Sequence, residues 1–465
     1  MLAQSAVSST AVSLFFLLSA LPSPYLSGAA PPFDEIYEVT QNGEFTAWIV
    51  EKRRWLHQRP ETMFEEFGTS EYIESTLRDL GVPFTTGWGK NVHGDPSVNG
   101  TGVVAHIGSG NPPCVALRAD IDALPILEDT GLPFASQTSG KMHACGHDSH
   151  TSMLLGAARY LKELNDREPL KGTVRLIFQP AEEGGAGAKM MREEGVLSLH
   201  PPVQRIFGIH VWPNHPTGLI LSRPGTIMSG GEDLSVSIRG RGGHAAMPHL
   251  NVDPVPAAAA LISAFQTVVS RETSPLDSRV ISITTLKGGS ATNVIPSEVV
   301  LGGRHWFLSE KGRQNSWSRM EEMAKGVAAA YGSEASLERP NPEHYPPTVN
   351  DPNLWSFLKE VGSAASVSGE VLEMEAPTMV AEDFSFFQET VPGLFVFLGQ
   401  GSGLESMGRP TTAALHSPQF TLDEAVLPRG SALHSLLALA SLDELSTSSS
   451  GSTTSSTTSM RSEDL

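Results

Sequence analysis

The nine residues MHACGHDSH, 142 to 150, hold three histidines, an aspartate and one of the chain's two cysteines. Cys145 and His147 stand two apart, a spacing that does not share a helix face but lets an extended turn aim both at one ion. His143 and His150 fit hydrogen-bonding or surface roles. Further on, VRLIFQPAEEGGAGA runs an apolar stretch into Glu182 and Glu183, and adjacent carboxylates diverge at a strand end. One can then bind a cation while the other faces a water above it. RIFGIHVWP carries His210 at the end of another apolar run, and ALHSP places His416 in a loop. Each feature alone has an ordinary reading: an acidic turn before a helix, favoured by the dipole, or a structural histidine. Jointly, Cys145, His147, Glu183, His210 and His416 offer more donors than one open tetrahedral ion needs. Two ions sharing a ligand fit better, bridged by the thiolate or by a water. Glu182 would then take a proton from an attacking water and return it to a leaving amine.

The elements that must position these residues are short. GVVAHIG, CVALRADID, GTVRLIFQP and RIFGIHVW read as strands, and TSMLLGAARYLKEL and AGAKMMREEGVL as the helices between them. Such alternation predicts an α/β fold with a mixed, largely parallel sheet flanked by helices. Loops at the carboxyl edge of such a sheet are where ligands bind. Two amphipathic helices precede the strands, the second closed by Gly81 and Pro83. At Ser229 the texture changes to a βαββα run, an inserted α+β module, and after YPPTVNDPN the strand GLFVFLGQG and the helix LPRGSALHSLLALASL return to the first texture. The expected organisation is a catalytic domain in two parts, residues 38–228 and 349–444, with the module at 229–348 between them.

The chain's 465 residues suggest two or three folded units at about 150 residues each. A net charge of −19 would repel phosphate backbones and anionic membrane surfaces, which argues against nucleic acid as a partner. AVSLFFLLSALP, followed by small residues, reads as a signal peptide over residues 1–30 with cleavage after Ala30. That places the protein in the endoplasmic reticulum lumen or outside the cell, with organelle targeting as the alternative and no stable membrane association after cleavage. The Ser/Thr-rich stretch 445–465 is expected to be a disordered tail, ending in SEDL, a loose likeness to a retrieval signal. A secretory route permits a disulfide, but Cys114 opens an apolar strand and Cys145 lies among histidines, which argues against a bridge.

The segments RRWLHQRPETMFEEFGTSEYI, LRADIDALP, MHACGHDSHT, IFQPAEEGGAGAKMM, GRGGHAAMPH, TNVIP, AEDF and LHSP occur in this order. In that order they resemble the aminoacylase and carboxypeptidase-like metal-dependent amidohydrolases, specifically the branch of indole-3-acetic-acid–amino acid (IAA-amino acid) hydrolases and hippurate hydrolases. The resemblance spans roughly residues 45 to 440 and implies hydrolysis of the amide of an N-acyl amino acid. It implies a dinuclear manganese, zinc or cobalt centre held by Cys145, His147, Glu183, His210 and His416, with Glu182 as general base and later acid. It also implies a lid or dimerisation module whose His244 polarises the scissile carbonyl, often across a homodimer, while Asn293 and Arg304 hold the substrate carboxylate or its oxyanion. GGRHWF departs from the family's wording around that arginine. LRADIDALP lacks the histidine that distant relatives use as a ligand, so Asp120 is kept as a supporting residue. A dipeptidase or carboxypeptidase is the rival reading, and a binding protein without turnover a further one.

Overall fold

The computed structural model describes residues 30–451 apart from 342, 404 and 407. The expected signal peptide and the SEDL terminus lie outside the described residues.

Four strands lie side by side and parallel, in the order Thr173–Gln179, Cys114–Asp120, Arg205–Trp212 and Gly393–Gly399. Their near-continuous apolar sequences suit strands covered on both faces. Alternation divides their side chains. Val115, Leu117 and Leu176 pack in one core with Leu154, Leu155, Leu433 and Leu437 of the helices His147–Arg167 and Val426–Gly451. Ala116, Ile177 and Ile206 pack in another with Met191, Phe384, Phe387 and Phe395. Gly102–Gly108 and then Phe84–Trp88 extend one edge antiparallel, and Ile220–Ser222 with Leu372–Glu373 complete the other. The result is a mixed eight-stranded sheet with a parallel centre.

A second sheet holds four antiparallel strands, ordered Arg279–Lys287, Glu298–Phe307, Gly230–Arg239 and Glu334–Glu338. Helices Pro254–Thr267 and Glu310–Ala330 pack on it around Val236, Ile238, Phe265, Leu301 and Met320, a core separate from the first two. Both helices start on capping side chains, Asp253 accepting from the Val255 amide and Ser309 from the Gly312 amide. Glu334–Glu338 is a strand that the βαββα pattern does not contain. Its sequence, EASLE, lies at the sheet edge without a fully buried residue, so it carries little apolar signal.

The chain crosses between the sheets at Gly230 and Gly231, where Gly231 and Tyr345 exchange backbone hydrogen bonds of 3.0 and 2.9 Å. A Cβ on Gly230 would lie 2.3 Å from the Phe307 ring and 2.5 Å from the Tyr345 carbonyl, so only glycine fits that crossing. At the other end, Val426–Gly451 runs past residue 445, where composition places the start of the tail. The hydroxyls of Ser446, Thr447 and Ser448 bond back to the carbonyls of Asp443 and Glu444, which lets these residues continue a helix already anchored by packing. Among the described residues no helix is long and apolar enough to cross a membrane.

Candidate metal centre

Cys145 sits directly before the helix His147–Arg167, which begins earlier than the apolar pattern at Thr151 suggests. Gly146 makes the entry in the left-handed region at φ 91°, and a Cβ there would stand 2.5 Å from Val211 Cγ2. This entry puts His147, Asp148 and His150 on the helix's first turn. His147 Nδ1 lies 2.9 Å from the Asp122 carbonyl, so a proton there leaves Nε2 as a free lone pair; that nitrogen is buried with no hydrogen-bond partner. His210 Nδ1 is likewise 2.6 Å from the Val211 carbonyl, and its Nε2 stands 3.5 Å from Cys145 Sγ.

The strand Thr173–Gln179 leads into an irregular turn, with Ala181 at φ 54°, Glu183 at ψ 62°, Gly184 at φ 98° and Ala186 at φ 55°. That backbone lets consecutive carboxylates point apart. The Glu183 amide donates to Asp122 Oδ2 at 2.9 Å, while its Oε1 lies 3.1 Å from His416 Nε2 and 4.0 Å from His147 Nε2. His416, itself at φ 62°, is fixed by its amide to the Ala144 carbonyl at 2.8 Å, and its half-exposed side chain forms the open side of the cluster. Two donor triads result, Cys145–His147–His210 and Cys145–Glu183–His416, each with ligand atoms within 4.8 Å of one another. They share Cys145.

The electrostatics match a cation site. Burial, then the charges of Glu183, Glu182 and Asp120, push the Cys145 thiol well above its ordinary pKa. Burial would lower His147, but the carboxylates of Asp120, Asp122 and Glu183 outweigh it and raise its pKa to about 10. A buried imidazole nitrogen without a hydrogen-bond partner and a Glu183 oxygen facing the His416 and His147 nitrogens, beside a thiol crowded by acids, are groups that divalent ions satisfy together. The donor set therefore fits a dinuclear centre.

Glu182 is buried beside these triads, its Oε1 accepting from the Asp383 amide at 3.4 Å. Burial, followed by the charges of Glu382, Glu183 and Asp383, holds its carboxyl well above the usual carboxylate range. Arg118 supports this acidic group: its guanidinium donates to Asp120 Oδ2 at 2.8 Å, Glu382 Oε1 at 2.9 Å, Asp383 Oδ1 at 3.0 Å and Gln179 Oε1 at 2.7 Å. Asp120 also meets His150 Nδ1 at 2.6 Å, and His150 Nε2 accepts from the Val211 amide at 2.9 Å. Asp120 thus braces His150 and meets Arg118, and its Oδ2 also lies 3.7 Å from His147 Nε2. Replacing Arg118 with methionine keeps the volume but takes from three buried carboxylates the one cation they share, so we expect a loss of about 3–5 kcal/mol in urea unfolding.

His143 departs from the sequence reading. It is fully buried with neither nitrogen hydrogen-bonded, and burial lowers its pKa to about 3, so it is neither a surface group nor a hydrogen-bonding one. Sequence reasoning gave no role to Glu382, Asp383, Asp122 or Arg118. The available signal was charge inside apolar runs, as in MVAEDFSFF and CVALRADID, because a charge buried among apolar neighbours implies a partner.

The residues assigned by resemblance to the inserted module lie in the second unit. His244 is exposed on the ribbon Gly243–His244, paired with Val294–Ile295, and the Asn293 carbonyl accepts from the Ala245 amide at 3.0 Å. His244 and Asn293 are therefore neighbours. Arg304 faces Asp233 at 3.5 Å, near the crossing: a Cβ on Gly231 would lie 3.2 Å from its Nη2 and 3.5 Å from Ala381. Among the described residues, none of the three makes a hydrogen bond or ion pair to the cluster around Cys145.

A parallel-centred sheet carrying a shared-cysteine donor cluster and a buried carboxylate at its strand ends defines a metal-dependent hydrolase. Peptidase family M20/M25/M40 matches residues 116–440, and the chain belongs to that family. It is 42% identical to IAA-amino acid hydrolase ILR1-like 2 of Arabidopsis thaliana, over 93% of this chain and 94% of that protein. It is 38% identical to N-acetylcysteine deacetylase of Bacillus subtilis, covering 86% and 98% of the two chains. Among solved structures it resembles the Bacillus subtilis YXEP protein, described as a dinuclear metal binding peptidase of this family. That match has a TM-score of 0.71 and 35% identity, over 86% and 99% of the chains.

Proposed function

We propose that the protein hydrolyses the amide bond of N-acyl amino acids, IAA-amino acid conjugates among them, to a free acid and an amino acid. The observation that carries this reading is the pair of donor triads sharing Cys145, with buried Glu182 beside them. The names of the plant and bacterial relatives support the substrate class.

Cys145, His147, Glu183, His210 and His416 would hold two divalent ions. The thiolate suits zinc, the carboxylate tolerates manganese, and cobalt accepts the same donors. When bound, the ions supply positive charge that polarises the scissile carbonyl and acidifies water. Glu182 takes the proton of the attacking water. It holds that proton until the C–N bond breaks and then delivers it to the departing amine nitrogen. His244 accepts the Ala246 amide at Nδ1 at 3.1 Å, which places its own proton on Nε2 as a donor for the developing oxyanion. Asn293 and Arg304 would receive the substrate carboxylate, which the arginine fork can meet with two bonds.

On this reading the second unit, residues 229–348, closes over the site as a lid. It would also join two copies of the chain, and the exposed Val280 and Leu286 on its edge strand support such pairing. The amino-terminal apolar run supports entry into the secretory pathway. The deciding experiment is a panel of indole-, phenyl- and alkyl-acyl amino acids beside dipeptides, each assayed with manganese, zinc and cobalt. We expect kcat/KM for the best acyl amino acid to exceed that for the best dipeptide by about tenfold or more. Preference for dipeptides would make the protein a peptidase instead, and no released amino acid with any metal would remove the hydrolase reading.

A further inference from the structure

Tyr345 lies outside the donor cluster, on the return from the second sheet, and it is buried. Its hydroxyl donates to the Glu182 carbonyl at 2.7 Å and accepts from the amides of Gly184 at 3.0 Å and Ala186 at 2.9 Å. One donor and two acceptor sites are all that a phenol has. All three are spent on one turn, the irregular one whose backbone separates the Glu182 and Glu183 side chains. Without that hydroxyl, the Gly184 amide, the buried Ala186 amide and the buried Glu182 carbonyl would lose this partner, and the residues in the left-handed region at either end would lose what holds them there.

The other side of Tyr345 is fixed as well. Its backbone exchanges two hydrogen bonds with Gly231, where the chain first crosses into the second sheet, so outgoing and returning strands are clamped together at this residue. Its ring meets Phe386 edge-on with centroids 5.9 Å apart, and Glu343, two residues earlier, pairs with Lys189 of the first unit. The phenol is thus positioned by the two crossings.

We infer that Tyr345 is a positioning residue for catalysis: its hydroxyl shapes the 182–186 turn that aims Glu182 at the reacting water and Glu183 at the metal. The inference rests on the hydrolase reading for its catalytic part, while the effect on metal binding stands apart from turnover. In the full chain, Tyr345→Phe keeps the ring and deletes the three hydrogen bonds. With saturating manganese, kcat for the best N-acyl amino acid should fall about tenfold to hundredfold while KM stays within about twofold. Manganese titrated calorimetrically into metal-stripped protein should bind about tenfold more weakly, because Glu183 belongs to the same turn. A control, Phe386→Leu, loosens the ring's packing but keeps the hydroxyl; it should lower the melting temperature and leave kcat and manganese affinity within about threefold of wild type. Wild-type manganese affinity in Tyr345→Phe, or equal losses of kcat and affinity in Phe386→Leu, would overturn the inference. If the wild-type protein cleaves no amide, the hydrolase reading fails and the titration alone still judges the role of Tyr345.

Discussion

Glu182→Gln is expected to lower kcat by about 10²–10⁴-fold while the fold and the bound metal remain. The substitution is nearly isosteric, and the glutamine side-chain oxygen can still accept from the Asp383 amide. What disappears is the ability to take a proton from water and return it to the amine. Stability should move in the opposite direction to activity, or not at all. Glu182 is buried against Glu382, Glu183 and Asp383, whose charges disfavour its ionised form, so a neutral amide relieves repulsion in the folded state. A thermal melt at or above the wild-type temperature, beside a collapsed kcat and an unchanged metal content, would mark a residue kept for chemistry at a cost in stability. The base would have to be sought elsewhere if kcat stayed within about tenfold of wild type.

Much of this site could be read in the sequence because its parts sit at the ends of apolar runs. VRLIFQ and RIFGIHVW are legible as strands buried on both faces, and polar residues at their carboxyl ends, Glu182, Glu183 and His210, stand out against them. The sharing of Cys145 between two triads was legible only as arithmetic. Its geometry depends on backbone in the left-handed region at Gly146 and His416, and a non-glycine residue such as His416 gives no sign of that in its type. The acidic group under Glu182 was hidden for another reason. Arg118 meets Glu382 and Asp383 across most of the chain's length, and no local pattern encodes a pairing at that separation. Tyr345 escaped notice similarly, since a tyrosine before two prolines reads as a linker until its hydroxyl is seen against the Glu182 carbonyl. His244 and Asn293 became candidates through resemblance alone, and the structure contributes their adjacency on one ribbon.

Removing the metal should abolish turnover and loosen the fold together. In the metal-free protein His147, with its pKa raised to about 10, and Cys145, with its thiol raised further by burial and acidic neighbours, both hold protons at neutral pH. Metal entry must displace them. Calorimetric titrations in buffers of different ionisation enthalpy should therefore show proton release, and apparent affinity should rise with pH by about tenfold per unit for each proton displaced. The sign follows from the raised pKa: below it the imidazolium competes with the ion, and the competition fades only as pH approaches the pKa. Stability changes in the same direction. The buried carboxylates of Asp120, Asp122 and Glu182 and the partly buried one of Glu183 converge on the site, and an ion bound to the native state alone adds about 2.7 kcal/mol at a hundred times its Kd. Chelator treatment should thus lower the melting temperature and erase activity, with both restored by manganese or zinc. Undiminished turnover in protein shown by elemental analysis to be metal-free would take the centre out of the reaction, and Glu182 would then have to activate water unaided.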